Sequence, residues 1–477
     1  MKPRICILGA GPGGYAAAIR ASQLGALVTL VEKEAPGGTC LNWGCVPSKV
    51  MITTAGLIRQ FRKAQYFGIS VSGEIRPDMG LLMARKEKVI SDHIQGLLKL
   101  FDQHRITYIR GTGVIEDQGA VRVETADGDV EIIGWDRLIV ATGTRPLELP
   151  GIAFDGERIL SSDHALSLRA VPGSVVILGG GVIGCEFAAM LSALGAQVTV
   201  IEALPRLLPL PSIDEAVSKV LLREFKKQKI QVMVNRTAVS VDAVGDRIQV
   251  TTGPSPYWEN PSEREREPRI VEADKLLVCV GRAPNTSGIG LESVEVDCDA
   301  KGWIIADSAL RTGRKGVWAI GDVLGPSRVM LAHAAAAEGE IAAANAMGAD
   351  LEMDYHFVPA GIFTHPEVAA IGHTRAQAAL ERIPVGAESV LFRTVGKAQI
   401  IDEIAGEATI VFHEKTGRVL GVHMIGPHAT DLIAEATLAV RNRLTVSDLV
   451  NTIHAHPTLS EVIHETALKA LGRPLHG

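Results

Sequence analysis

The segment Ile5-Cys6-Ile7-Leu8-Gly9-Ala10-Gly11-Pro12-Gly13-Gly14 decides the fold of the 477-residue chain. An apolar run precedes the glycines, an alanine-rich stretch follows them, and a second apolar run ends at Glu32. This order predicts a strand, a tight turn, a helix and a second strand. Gly9, Gly11 and Gly14 would then permit the turn, the approach of a pyrophosphate and close helix packing, and Glu32 could bind ribose hydroxyls. The segment therefore predicts a dinucleotide-binding unit.

The same arrangement occurs a second time in the chain. Gly179, Gly181 and Gly184 follow another apolar run, and Glu202 follows Gly179 by 23 positions, the spacing found in the first unit. Two matched units predict two bound dinucleotides. A 2′-phosphate would be repelled by Glu202, which favours NAD over NADP, although the nearby Arg206 leaves that preference open.

Composition and charge narrow the class of protein. A hydrophobic content of 47% with 21% charged residues is typical of a globular protein with an ample core, and the length predicts about two to four domains. The net charge of −6 and the lack of a basic run argue against nucleic-acid binding. Glu186 interrupts the best apolar stretch, so no membrane span is expected. The first apolar run, residues 5–8, has only four residues and ends in glycines, so no signal peptide is expected. Six cysteines in so long a chain favour a reducing, cytoplasmic compartment.

Two cysteines close together in sequence predict redox chemistry. Cys40 and Cys45 are separated by four residues, and Lys49 lies four positions further on. The attacking species in thiol–disulfide exchange is the thiolate, which a nearby cation favours. The alternative is half of a zinc site, but the nearest other cysteines, Cys6 and Cys185, lie inside apolar stretches.

A disulfide between these two cysteines would constrain the backbone. It needs Cα atoms within about 7 Å of one another, whereas five residues of an ideal helix rise about 7.5 Å. Cys40 and Cys45 therefore cannot both lie on one straight helix. We expect the chain to turn around Gly44.

Three further motifs end predicted buried strands. Ala141-Thr142-Gly143 follows one such strand, Gly281 closes another, and Asp322 follows Gly321 at the end of a third. An aspartate in that position can accept hydrogen bonds from ribityl-type hydroxyls, or it can simply be an acid at a helix start. Residues 146–151 form the first predicted domain boundary. From residue 349 onward, strands with turns and two late helices predict an α+β domain suited to self-association.

The last predicted helix begins with a histidine-rich motif. His456 is followed by Pro457 and, five positions on, by Glu461. A carboxylate that holds an imidazole is how a general base is oriented, and His464 is a rival to His456 for the same partner. Alternatively, Thr458 and Glu461 form a capping box, which alone would explain the glutamate.

These motifs together resemble the pyridine nucleotide–disulfide oxidoreductases over essentially the whole chain. The most specific matches are the stretch from Gly37 to Lys49 and the stretch from His454 to Glu461. Trp43 and Ala334 differ from the residues that are common in the family at those positions. The Glu/Arg-rich segment near residue 260 looks like an insertion relative to the family. The resemblance implies an α/β fold with two Rossmann-type dinucleotide-binding domains and a C-terminal α+β dimerisation domain.

The resemblance also implies the domain limits and the cofactors. FAD would bind residues 1–149 together with a central part, 277–348; NAD would bind residues 150–276; and residues 349–477 would form the interface of a homodimer. The implied reaction is oxidation of dihydrolipoyl groups to the lipoyl disulfide, with electrons passing through the disulfide and FAD to NAD⁺. The implied partners are the lipoyl groups of 2-oxo acid dehydrogenase or glycine cleavage complexes, without nucleic acid or membrane.

The resemblance assigns roles to individual residues. Cys40 would exchange with the substrate and Cys45 would face the flavin. His456, oriented by Glu461 and supplied by the other subunit, would be the base. Lys49, paired with Glu186, would lie near the flavin N5. The implied cofactor-binding residues are Gly9, Gly11, Gly14, Glu32, Lys49, Ala141, Thr142, Gly143 and Asp322 for FAD, and Gly179, Gly181, Gly184, Glu202 and Gly281 for NAD.

Relatives on the same scaffold remain as alternatives. A glutathione-reductase-like enzyme would prefer NADPH, which Glu202 disfavours. A mercuric-reductase-like enzyme would carry a C-terminal cysteine pair, and no cysteine follows Cys298.

Overall fold

A computed structural model describes residues 2–117 and 119–476. Strands alternate with helices in residues 4–117 and again in residues 159–233, and the strands of residues 360–426 pair in antiparallel fashion. The strands β1 to β22 of the described residues are, in chain order, Arg4–Leu8, Leu27–Glu32, Thr107–Asp117, Ala120–Thr125, Val130–Gly134, Arg137–Val140, Thr144–Pro146, Ile159–Leu160, Ser174–Leu178, Gln197–Ile201, Gln231–Met233, Arg236–Val244, Arg247–Pro254, Arg269–Ala273, Lys275–Val278, Arg282–Pro284, Val317–Ala319, Ala360–Ile362, Glu367–Gly372, Val385–Leu391, Glu407–His413 and Val419–Gly426.

The helices are numbered in the same way. The α-helices α1 to α14 of the described residues are Pro12–Gln23, Gly38–Asn42, Cys45–Arg62, Met79–Gln103, Ser162–Ala165, Val182–Leu194, Glu215–Lys227, Glu263–Arg266, Ala332–Ala346, Arg375–Leu380, Gly396–Ile400, Ala429–Arg441, Val446–Asn451 and Glu461–Ala470. Within the described ranges, no helix is both long and apolar enough to cross a membrane.

The chain divides into two compact units, each made of separate segments. The first contains residues 1–51, 80–147 and 281–355, and the second contains residues 52–79, 148–280 and 356–477. The predicted four-part domain division remains a prediction, because the division into compact units does not separate the second dinucleotide-binding region from the C-terminal one.

The first unit is built on a seven-stranded sheet in the order β17-β6-β1-β2-β3-β4-β5. Its strands from β17 to β3 pair in parallel, and β3, β4 and β5 continue as an antiparallel meander. The β4–β5 hairpin turns at the Asp127-Gly128 dipeptide. Since parallel strands are covered on both faces, β1 and β6 read as unbroken apolar runs that are almost fully buried.

The second unit contains three sheets. The parallel sheet β11-β10-β9-β15-β8 carries the second glycine-rich turn, and the antiparallel sheet β12-β13-β14 contains the Glu/Arg-rich segment near residue 260. That segment includes α8 and joins β13 to β14, so it is an ordered hairpin connection. The third sheet, β18-β19-β22-β21-β20, is antiparallel. Its apolar face packs against α12 and α14 in one core, which confirms the predicted α+β region.

Candidate active site

The first glycine-rich turn connects β1 to α1. Gly9 has φ +101°, and a Cβ at that position would lie 2.3 Å from the carbonyl oxygen of Ala141. A Cβ on Gly14 would lie 1.8 Å from the carbonyl oxygen of Gly9. Only glycine fits these two positions. Gly11 is the N-cap of α1 and provides no side-chain cap, so the first N–H groups of the helix stay available to an anion.

The acid at the end of β2 is tied to this turn. Glu32 is 9% exposed, and its carboxylate accepts hydrogen bonds from Ala10 N at 2.7 Å and Glu34 N at 3.0 Å. Burial raises the pKa of Glu32, although the two backbone N–H groups oppose the shift. The hydrogen bonds fix the carboxylate beside the glycine turn, where the sequence predicts a ribose-binding acid.

Buried polar side chains lie at the carboxyl ends of the neighbouring parallel strands. The hydroxyl of Thr142, just after β6, is buried and has no hydrogen-bond partner among the described residues. Asp322, just after β17, accepts one hydrogen bond from the Thr144 hydroxyl at 3.2 Å. Burial raises the pKa of Asp322, while the charge of Arg282 and the Thr144 hydrogen bond lower it. Groups of this kind suit a dinucleotide, because ligands of open α/β sheets bind at the carboxyl ends of the strands.

The remaining predicted residues of this unit lie close to the same strand ends. Gly143 has φ +65° and precedes β7. Gly281 has φ +135°, and its carbonyl oxygen accepts a hydrogen bond from Leu147 N at 3.1 Å. Gly281 thus lies beside β7 in the first unit, so its predicted role in NAD binding remains a prediction.

The two thiols lie on either side of a helix break. Cys40 belongs to α2, which ends at Asn42, and Cys45 begins α3. Trp43 leaves the helical conformation with φ −135° and ψ 16°. A Cβ on Gly44 would lie 2.9 Å from the carbonyl oxygen of Thr39. The predicted turn around Gly44 is confirmed, and the missing side chain lets the backbone fold tightly enough to bring the two sulfurs together.

Both cysteines are thiols in this structure, and they form a hydrogen bond with each other. That hydrogen bond and burial raise the pKa of the Cys40 thiol, while the charge of Lys49 lowers it. The sequence missed one neighbour: burial and the charges of both cysteines raise the pKa of Tyr15. No sequence pattern pointed to Tyr15, because it lies on α1 and only the fold brings it near the thiols. No group of three or more metal-ligating side chains occurs in the described part of the chain.

The second glycine-rich turn has the same geometry as the first. Gly179 has φ +102°, and a Cβ there would lie 2.3 Å from the carbonyl oxygen of Cys279. A Cβ on Gly184 would lie 1.9 Å from the carbonyl oxygen of Gly179. Gly181 is the N-cap of α6 without a side-chain cap. The structure therefore offers a second dinucleotide cradle at the place that the sequence predicts.

The acid of the second turn accepts the same kind of backbone hydrogen bonds as Glu32, and the nearby Arg206 stabilises the following loop. Glu202 accepts hydrogen bonds from Gly180 N at 2.5 Å and Leu204 N at 2.7 Å. The guanidinium of Arg206 donates to the Ser218 hydroxyl and to three backbone carbonyl groups between residues 208 and 213. Because these acceptors occupy the guanidinium, it is not presented to a 2′-phosphate. The arrangement favours NAD, which the sequence left open.

The predicted histidine–glutamate pair is formed within the second unit. The Nδ1 atom of His456 lies 2.9 Å from Oε1 of Glu461, and the other carboxylate oxygen accepts a hydrogen bond from Thr458 N at 2.9 Å. Burial opposes ionisation of Glu461, but these hydrogen bonds hold its pKa below the usual value. The imidazole itself is 76% exposed. Because Nδ1 faces the carboxylate, Nε2 is left as the proton acceptor.

The rival arrangements differ from what the structure shows. His464 does not contact Glu461; its Nε2 lies 3.2 Å from the carbonyl oxygen of Val450. The capping box is only half formed, since α14 begins at Glu461 itself and the Thr458 hydroxyl donates to Ala455 O. One carboxylate oxygen of Glu461 therefore binds the backbone, and the other binds the imidazole of His456.

Lys49 and Glu186 fall in different units. Lys49 lies in the first turn and a half of α3, near enough to lower the pKa of Cys40. Glu186 lies on α6, is 8% exposed, and accepts a hydrogen bond from Phe363 N at 2.9 Å. The pairing of Lys49 with Glu186 stays a prediction.

Comparisons with known proteins agree with this geometry. The family model of the pyridine nucleotide-disulphide oxidoreductases matches residues 3–339, and that of their dimerisation domain matches residues 358–467. The dihydrolipoyl dehydrogenase of Chlamydia trachomatis is 41% identical over 98% of this chain and 97% of its own length. That of Bacillus subtilis is 37% identical, with 99% of both chains covered. The crystal structure of LpdA from Mycobacterium tuberculosis superposes with a TM-score of 0.89 at 30% identity, covering 98% of this chain and 99% of that one.

The chain belongs to the pyridine nucleotide-disulphide oxidoreductase family. It is an NAD-dependent flavoprotein disulfide oxidoreductase whose cofactors are FAD and NAD. The matched dimerisation domain supports a homodimer. The predicted fold class and cofactors are confirmed.

Proposed function

We propose that this enzyme oxidises dihydrolipoyl groups to the lipoyl disulfide and delivers the two electrons to NAD⁺. The observation that carries the proposal is the pair of thiols, Cys40 and Cys45, held in hydrogen-bond contact across the break between α2 and α3. The names of the full-length relatives support the choice of substrate. The hydrogen-bonding of Arg206 supports the choice of NAD over NADP.

The thiol chemistry balances with the enzyme starting as a Cys40–Cys45 disulfide. One substrate thiolate attacks the sulfur of Cys40, a mixed disulfide forms, and Cys45 leaves as a thiolate. The second substrate thiol attacks the substrate sulfur of the mixed disulfide, and its proton passes to the departing sulfur of Cys40. Cys40 is then released as a thiol, and the lipoyl disulfide departs. The substrate has lost two electrons, and the enzyme disulfide has gained them.

His456 is the base that we assign to the substrate thiols. Its Nε2 atom can take the proton, because Nδ1 is held by Glu461 at 2.9 Å. The carboxylate stabilises the imidazolium that forms, and it also fixes the ring orientation. Glu461 is thus the positioning partner and His456 the residue that moves the proton.

The nucleotide-binding residues hold the electron acceptors. When bound, FAD supplies a two-electron relay between the dithiol and NAD⁺. We assign Glu32, Thr142 and Asp322 to holding FAD, and Glu202 to the NAD ribose. Lys49 and Glu186 would balance charge near the reduced centre. The proposed division is FAD binding by residues 1–149 and 277–348, NAD binding by residues 150–276, and dimerisation by residues 349–477.

The partners are proposed from the substrate. Lipoyl groups are carried by 2-oxo acid dehydrogenase and glycine cleavage complexes, so these are the expected electron donors. We place the enzyme in the cytoplasm, because a single close cysteine pair among six cysteines suits a reducing compartment in which disulfides are catalytic.

A comparison of two substrate pairs tests the proposal. Purified FAD-loaded enzyme is mixed either with dihydrolipoamide and NAD⁺ or with glutathione disulfide and NADPH, and absorbance at the NADH wavelength is followed. We expect NADH to form in the first mixture and negligible NADPH oxidation in the second. Absence of NADH formation, with FAD bound, would refute the proposed reaction.

A further inference from the structure

A second histidine–glutamate pair lies two residues before His456. The Nε2 atom of His454 is 2.9 Å from Oε1 of Glu435 on α12, and its Nδ1 atom is 2.9 Å from the carbonyl oxygen of Thr452. The side chain of His454 is only 6% exposed. In contrast to His456, both ring nitrogens of His454 face an acceptor.

This geometry determines the protonation state of His454. A neutral imidazole carries one N–H group and can satisfy one acceptor, whereas an imidazolium donates from both nitrogens. Two acceptors at 2.9 Å, one of them a carboxylate, therefore select the charged form. In agreement, the hydrogen bond to Glu435 raises the pKa of His454, with burial opposing the shift.

The surroundings reinforce the charge from two sides. From α14, Glu461 adds a favourable negative charge, and the ring of His464 lies 5.2 Å from the His454 ring at an interplanar angle of 34°. The Nε2 atom of His464 is directed to the carbonyl oxygen of Val450. From α12 the facing charge is Glu435. The imidazolium thus ties α12 to the segment 452–456 that leads to the base.

We propose that His454 and Glu435 form a positioning pair that holds the segment carrying His456, and that loss of a proton from His454 releases this segment as the pH rises. This inference rests on the proposed function, in which His456 takes the proton of the substrate. Once neutral, His454 must give up either Thr452 O or Glu435. The constraint on the backbone next to the base then weakens, and turnover with dihydrolipoyl substrates falls.

The direction of the pH dependence follows from the raised pKa. A histidine whose folded-state pKa lies above the unfolded value stabilises the fold at low pH and loses that contribution as the pH rises through the folded value. The positioning effect is therefore present below the folded-state pKa of His454 and is lost as the pH rises through it. The base His456 has the opposite requirement: its imidazole must be neutral before turnover, so that it can accept the proton of the substrate.

The variant Glu435→Gln separates charge from shape. Glutamine keeps a carbonyl oxygen for Nε2 of His454 but removes the negative charge, so the pKa of His454 falls. We expect the alkaline limb of the kcat–pH profile with dihydrolipoamide and NAD⁺ to move down by about one pH unit or more. The His454 resonance in enzyme labelled with ¹³C-histidine, identified by its loss in His454→Asn, should titrate over the same pH range as that limb.

The matched control lies on the same helix. Asp431 pairs with His428 at 3.5 Å, and both side chains are largely exposed. Asp431→Asn removes one negative charge from α12 and should leave the alkaline limb in place. Reduction of ferricyanide by NADH, which takes electrons from the flavin without a substrate thiol, should not change in Glu435→Gln.

The outcomes distinguish this inference from the proposed function. An unchanged alkaline limb in Glu435→Gln, or a shift of the acid limb alone, overturns the positioning pair. If Glu435→Gln does not fold, His454→Asn provides the test, because its amide cannot titrate and the limb should disappear while lower activity remains. Full dihydrolipoamide oxidation in His456→Gln would refute the assignment of His456 as the base, on which this inference rests. Absence of NADH formation by the unmodified FAD-loaded enzyme would refute the proposed function itself.

Discussion

The two glycine-rich turns are nearly copies of one another, and they differ in the segment beyond the acidic end of the second strand. In both, the acid accepts one hydrogen bond from the second residue of the turn and one from the residue two positions beyond itself. In both, the chain then folds back on the turn: Gly37 N donates to Ala10 O, and Leu208 N donates to Gly180 O, each at 2.8 Å. Up to this point the two backbones have the same hydrogen-bond pattern.

The returning segments diverge in their side chains. In the first unit the segment enters α2 and presents Cys40, with Cys45 beyond the helix break. In the second unit the segment buries Leu207 and Leu208, and Arg206 closes the loop through hydrogen bonds. We infer from this comparison that the glycine turn and its acid are responsible for nucleotide binding alone. We further infer that the reaction is determined by the segment that returns to the turn.

Loss of the thiol pair in the first returning segment should reduce activity most. We expect Cys45→Ser to lower dihydrolipoamide oxidation by on the order of 10³-fold or more, because the exchange has no leaving thiolate. FAD content should stay normal, since no nucleotide-binding residue changes. Steady-state NADH formation and flavin absorbance measure the two quantities. Cys298→Ser, at an exposed cysteine of the same unit, is the control and should be fully active.

Removal of the base comes next. His456→Gln should lower kcat for dihydrolipoamide by about 10²–10⁴-fold, the usual contribution of a general base, with intact binding of both nucleotides. NADH-driven reduction of ferricyanide should persist. His428→Gln changes an exposed histidine of the same region and should leave kcat unchanged. Equal loss in both variants would contradict the assignment of His456.

A matched pair of glycine substitutions tests whether the two turns act separately. Gly14→Ala and Gly184→Ala each place a Cβ within 2 Å of a backbone oxygen, and each should cost about 1–3 kcal/mol locally. We expect the first to lose FAD and the second to keep FAD but bind NADH more weakly. Flavin absorbance and NADH titration are the measurements. Gly96→Ala, at a helical glycine with open space around it, should be neutral.

Replacement of Arg206 should have a smaller effect than any of these changes. If Arg206 only stabilises the loop through its hydrogen bonds to Ser218 and the neighbouring carbonyl groups, Arg206→Ala should lower the free energy of unfolding by about 1–2 kcal/mol. The ratio of kcat/KM for NAD⁺ and NADP⁺ should change less than about twofold. Thermal unfolding and steady-state kinetics measure these quantities. A selective loss of NADP⁺ activity would show that the guanidinium reaches the nucleotide and would remove the contrast with the first unit.

Local patterns made much of the fold predictable from the sequence. The spacing from the first glycine to the acid is the same for Glu32 and for Glu202, and it is typical of a strand–turn–helix–strand unit that binds a dinucleotide. The turn at Gly44 follows from the short distance between Cα atoms that a disulfide needs. The two late helices predicted in the C-terminal region are confirmed as α12 and α14.

Long-range placement accounts for the features that could not be predicted. Tyr15 lies near the thiols only because the fold brings α1 close to them, and three of the four partners of Arg206 are backbone carbonyl groups that carry no sequence signal. The start of α14 was placed too early, because Thr458 looks like a cap although its hydroxyl donates to Ala455 O. His454 was part of a recognised motif, but its second partner, Glu435, comes from another helix.

The thiols that the substrate creates can be counted and located, which tests the redox role of Cys40 and Cys45 without relying on turnover. Oxidised FAD-loaded enzyme is treated anaerobically with dihydrolipoamide. One sample then receives an excess of NAD⁺ and a second sample does not. Both samples are then alkylated and analysed by peptide mass spectrometry. We predict that Cys40 and Cys45 become alkylated together after dihydrolipoamide and are protected again after NAD⁺. Labelling that does not respond to the substrate, or that appears at other cysteines instead, would contradict a catalytic disulfide between these two residues.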